Sequence, residues 1–159
     1  MYSKQEAAVI RHRFWTALGK YLAPIPFAGN EKQNWINYKT GIKNIFFKTF
    51  ADNKKASACI ELAMASEEQR EKKFHLLLNL IKQSGSSLKD WQTEKKSYNE
   101  QGKPVALIYM DLYPVNIYKE EDWPLVIGFL KEKMIAFDAF WTQYKDIIEH
   151  DPGANCIDK

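Results

Sequence analysis

Residues 44–63 read NIFFKTFADNKKASACIELA. Both ends of this stretch are rich in aromatic, β-branched and small apolar residues. Its middle, Asp52-Asn53-Lys54-Lys55, is polar and suited to a tight bend. The pattern predicts a hairpin with strands over Asn44 to Ala51 and Ala56 to Ala65. A four-residue turn sets Ala51 opposite Ala56, hence Phe46 opposite Glu61, Lys48 opposite Cys59 and Phe50 opposite Ser57. Side chains alternate across a strand, so Ile45, Phe47, Ala58, Ile60 and Leu62 share an apolar face. Lys48 and Glu61 share the other face within diagonal reach, and an ion pair between them would account for Glu61 without any chemistry.

Upstream, Trp35 to Lys39 is a third run of strand-forming residues, joined to the hairpin by a bend at Thr40-Gly41, which suggests an antiparallel meander. Before it, Ser3 and Glu6 form a capping box, and Ala7, Ile10, Phe14, Ala17, Leu18 and Tyr21 recur at helical spacing. That helix ends near Leu22, because Pro24 and Pro26 cannot continue it. Downstream, Ser66 and Gln69 open a second helix whose Phe74, Leu77, Leu78 and Ile81 line one side and whose C-terminal cap is Gly85. Segments over Leu88 to Tyr98 and Val105 to Tyr113 flank Asn99-Glu100-Gln101-Gly102 and read as a second hairpin. From Trp123, with Pro124 in the first turn, the stripe Ile127, Leu130, Met134, Phe137, Trp141, Tyr144, Ile148 specifies a long closing helix. Val126, Phe129, Ala136 and Phe140 widen that stripe beyond a coiled-coil seam, so it packs on the sheet; a homodimer through this helix is the other use of such a face.

The expected fold is a single α+β domain over residues 1–150, with an antiparallel sheet of about five strands packed by three helices in the order α-β-β-β-α-β-β-α. Residues 151–159 read as a frayed polar tail. The chain has 159 residues, 45% of them apolar and 27% charged, a composition that folds around one core. No run approaches a membrane span, and the N-terminus lacks the apolar stretch of a secretion signal, which together point to the cytoplasm. Two cysteines, Cys59 and Cys156, are too few for a disulfide framework or paired metal ligands.

His12, His75 and His150 fall on separate elements, and neither a phosphate-binding glycine loop nor a nucleophile motif occurs, so no cofactor or metal is implied. The element order is similar to the common core of PD-(D/E)xK nucleases. Asp52 and Glu61 are suitably spaced for that resemblance, but Ala63 stands where the lysine belongs. Glu94 and Lys96 supply an E-x-K triplet in a different segment.

Charge is more informative. Residues 1–60 hold ten Lys/Arg against three Asp/Glu, while the remainder holds thirteen against seventeen. Arg11, Arg13, Lys39, Lys43, Lys48, Lys54 and Lys55, interleaved with aromatics, are the candidate nucleic-acid contacts, since cations neutralise phosphates and rings stack on bases. Lysines also protect sheet edges, which is their structural use.

The strings RHRFWTALGKYL (11–22), NWINYKTGIKNIFF (34–47), ACIEL (58–62) and EEDWPLVIGFLKEKMIAFDAFW (120–141), with Trp91, resemble the bacterial family called domain of unknown function 4268. The resemblance covers nearly the whole chain and rests largely on aromatic framework positions. Fusion of some members to nuclease-like or other defence-associated domains implies, by analogy, an accessory role linked to DNA. Members carry an arginine in the second strand of the late hairpin, where this chain has Ala106-Leu107-Ile108. The resulting expectation is a non-catalytic accessory domain that contacts nucleic acid or a nuclease-type protein partner; a divergent metal-dependent nuclease and a self-associating module are the alternatives.

Overall fold

The computed structural model describes residues 3–29 and 32–151. Within them lie helices α1 (Lys4–Leu22), α2 (Glu67–Ser84) and α3 (Trp123–Glu149) and strands β1 (Ile45–Ala51), β2 (Ala56–Leu62), β3 (Gln92–Tyr98) and β4 (Pro104–Leu112). Short 3-10 turns at Ser87–Asp90 and Glu120–Asp122 precede β3 and α3. Most of the expected tail, including Cys156, lies outside the described residues.

Local signals act as physics requires. Ser3 and Glu6 exchange hydrogen bonds at the start of α1, satisfying orphan amides there. Ser66 accepts from the Gln69 amide at the start of α2, and Gly85 ends that helix at φ 68°, a conformation open to a residue without Cβ. Asn99 Oδ1 accepts from the amides of Gln101 and Lys103, and this closes the β3–β4 turn.

The four strands form one antiparallel sheet in the order β1-β2-β4-β3. Two hairpins therefore join through β2 and β4, rather than running as a meander. The expected register of the first hairpin holds in full, with Phe46 opposite Glu61, Lys48 opposite Cys59 and Ala51 opposite Ala56. The sheet has one strand fewer than expected, because Trp35 to Lys39 is a looped segment. Asn34 Oδ1 accepts from the amides of Ile36 and Asn37, and this local turn competes with extended pairing. The aromatics that suggested a strand plug the core instead: Trp35 stacks on Phe27 at 4.2 Å and donates to the Ile25 carbonyl.

Ile45, Phe47, Ala58, Ile60, Leu62, Ala106 and Ile108 are all buried on the sheet face that α3 covers. Phe137 stacks on Phe47 at 4.2 Å and on Trp141 at 5.3 Å, and α1 docks at the start of α3 through Phe14 against Trp123. Tyr21, assigned to the packed face of α1, is instead exposed, and Leu22 is buried in its stead. The opposite sheet face carries Phe46, Lys48, Phe50, Cys59, Glu61, Tyr109 and Asp111, with Phe46 and Phe50 43% and 47% exposed.

The two sheet edges differ. β3 is polar, with Glu94, Lys95 and Lys96 and a register shift before Ser97. β1 reads IFFKTFA without a break. The Ala63 amide donates to the Asn44 carbonyl, while the Ile45 amide and carbonyl bond to Ile42 and Thr40 on the outer side. Alternation then aims the backbone N–H and C=O groups of Phe47 and Thr49 at the free edge.

Candidate nucleic-acid interface

Residues 33–44 form a loop alongside β1, and side-chain hydrogen bonds fix its path. Gln33 brackets the Lys39 backbone, donating to its carbonyl at 2.7 Å and accepting from its amide at 3.1 Å. Thr40 Oγ1 donates to the Ile45 carbonyl at 2.6 Å, and Trp141 donates to the Thr40 carbonyl at 2.7 Å. Gly41 and Asn44 take positive φ values of 79° and 67°, turning the chain back into β1. Tyr38 donates to Asp138 on α3, and this anchors the loop to the core.

Between the loop and β1 lies a groove of about 530 Å³, lined by Asn37 to Lys43 and Ile45 to Lys48. Three candidate cations, Lys39, Lys43 and Lys48, line it together with Phe46, and no acidic residue does. Lys39 and Lys43 are exposed and form no ion pair among the described residues. Lys48 Nζ lies 3.0 Å from Glu61 and 5.4 Å from the Phe46 ring centre.

The remaining candidates lie elsewhere. Lys54 is exposed in the β1–β2 turn, while Lys55 is 3.5 Å from Asp111. Arg11 donates to the Tyr118 hydroxyl. Arg13 is 3.6 Å from Glu120 and lies over the Trp123 ring. Lys48, Lys55 and Arg13 thus each meet a carboxylate from the acidic part of the chain.

Asp52 and Glu61 are not brought together. Asp52 closes the turn by accepting from the amides of Lys54 and Lys55. Glu61 sits opposite Phe46, so the two acids are separated by most of the strand, roughly 20 Å at about 3.3 Å per residue. Glu94 lies on edge strand β3, and Lys96 is paired with Glu67 of α2. Among the described residues, three metal-ligand types converge only at the exposed end of α3, as Asp146, Glu149 and His150. His12 and His75 are exposed on α1 and α2.

Sequence reading missed the polar anchor of the loop alongside β1. Asp138, 3% exposed, accepts from Tyr38 and from the Ala28 amide at 2.7 Å. It borders a cavity of about 210 Å³ together with Gln33, Thr142, Lys145 and Asp146. A signal was present: Asp138 lies four residues after Met134 and three before Trp141, inside the apolar stripe of α3. On the open sheet face, burial, followed by the nearby Glu61 charge, pushes the Cys59 thiol up to about 12.

The chain belongs to the family described as Domain of unknown function (DUF4268), which matches residues 10–145. No curated protein and no solved structure matches it.

Proposed function

We propose that this DUF4268 chain is a non-catalytic binding module whose groove beside β1 takes the phosphate backbone of a nucleic acid. The observation that carries this reading is the meeting of Lys39, Lys43 and Lys48 in one groove whose lining contains no acid. Ammonium groups that neutralise phosphates release condensed counterions, so affinity falls with salt. Lys39 and Lys43 supply this without first breaking an ion pair, and a pinned loop holds them in place. Lys48, Arg11, Arg13 and Lys55 are occupied by neighbours and contribute less. An accessory role beside a nucleic-acid-processing protein suits a module that grips a strand without cutting it.

The test is fluorescence anisotropy with a labelled oligonucleotide, starting at about 50 mM salt, where phosphate contacts are strong. Binding is expected, with a log–log salt slope of about −1.4 for two contacts to a single strand. Lys39→Ala with Lys43→Ala should weaken binding by about tenfold or more and flatten the slope, whereas Arg11→Ala with Arg13→Ala should change little. No binding at low salt would remove the reading.

A further inference from the structure

We infer that the nucleic acid taken by this groove is single-stranded, with its bases stacked on Phe46 and Phe50; this rests on the binding reading above and names its substrate class. Phe46 borders the groove and is 43% exposed, so it stands where the cationic wall meets the open sheet face. Phe50, 47% exposed, follows on that face, with Lys48 between the two. Alternate residues of a strand lie about 6.6 Å apart, so Phe46 and Phe50 are separated by roughly 13 Å, a span that an extended strand crosses in about two nucleotides. Tyr109 lies across Cys59 from Lys48 in the same cross-strand row and extends the aromatic surface.

Duplex DNA offers phosphates on a wide cylinder with its bases stacked inside, and it would leave both phenylalanine rings without a partner. A single strand offers both features at once: phosphates for Lys39 and Lys43, and ring faces for Phe46 and Phe50. The carboxylates of this face do not oppose that path. Glu61 is neutralised by Lys48, and Asp111 by Lys55 and a hydrogen bond from Ser57. Glu94 lies on the far edge strand, three strands away in the order β1-β2-β4-β3. The bound strand therefore runs along β1 and not across the sheet.

The experiment compares a labelled oligothymidine with a duplex of equal length, using wild type, Phe46→Ala with Phe50→Ala, and Phe46→Trp with Phe50→Trp. The single strand should bind at least about tenfold more tightly than the duplex. The double alanine variant should lose about tenfold or more on the single strand with an unchanged salt slope, and tryptophan should restore affinity, since stacking tolerates any aromatic face. Equal affinity for duplex and single strand, or an alanine variant that binds as wild type, overturns the inference while leaving the binding reading intact. Loss of both ligands at low salt overturns the binding reading instead. Displacement of the strand by polyglutamate peptide at equal charge concentration would show that the groove reads charge alone, and would also overturn the inference.

Discussion

Asp138 holds the loop that carries two of the groove lysines, through Tyr38 and the Ala28 amide. Removing a buried hydrogen-bond acceptor costs about 1–3 kcal/mol. Asp138→Ala should therefore lower unfolding stability by about 1–3 kcal/mol, read from the urea midpoint. It should also weaken oligonucleotide binding, although Asp138 lies outside the groove. Cys59 offers a second test at this scale. Its thiol is pushed up to about 12 from an ordinary value of 9.0, first by burial and then by Glu61. The folded state thus holds this proton over a range where the unfolded chain releases it. The associated stability is complete below pH 9 and disappears as the pH rises toward 12. Cys59→Val should flatten the alkaline part of the stability profile, and native Cys59 should resist iodoacetamide at pH 8 while labelling fully in urea. Among side chains, the Lys48–Glu61 pair was legible in the sequence because strand register alone determines it. The Tyr38–Asp138 bond was not, because it joins positions 100 apart through a helix orientation that periodicity fixes only coarsely.

Helix ends and hairpins were legible because their signals are local: Ser3 with Glu6, Gly85 after α2, and the four polar residues between β1 and β2. Trp35 to Lys39 was misread because ring-rich residues suit either a strand or a core plug, and what decides is a partner strand that composition does not reveal. Two glycines give a paired test of backbone strain. Gly85 has φ 68° and open space around its Cβ direction, whereas at Gly41, with φ 79°, a Cβ would lie 2.5 Å from Lys145 Nζ. Gly85→Ala should cost about 1–2 kcal/mol, the penalty of a left-handed alanine. Gly41→Ala should cost only slightly more, because the end of the flexible Lys145 side chain must also swing aside. Both are measured by urea denaturation. The exposed large apolar residues of α3 are spread along its length. Leu125 and Ile147 are exposed but about 33 Å apart along the axis, and exposed Ile135 points roughly 80° away from Leu125.

The molecule is organised around α3, whose Phe137 is fully buried against Phe47, Tyr38 and Trp141. Phe137→Ala should cost about 3–5 kcal/mol, a large share of the stability of a domain this size, with a lowered melting temperature by calorimetry as the readout. The single α+β core was legible because apolar periodicity adds up over many residues. The charge surplus was legible only as a total: composition counts cations, but folding decides which of them meet carboxylates. Arg13, Lys48 and Lys55 do, leaving a smaller and more local positive surface than the sequence suggests. The unequal borders of the sheet have a last consequence. A hydrogen-bonding ladder can be lengthened only where a border accepts a newcomer. The charges and irregular register of one border discourage this, while the other stands open at Phe47 and Thr49. Two molecules meeting through their open borders would each present only a guarded one to a third, so accretion of this kind stops at a pair and does not run on into a fibre.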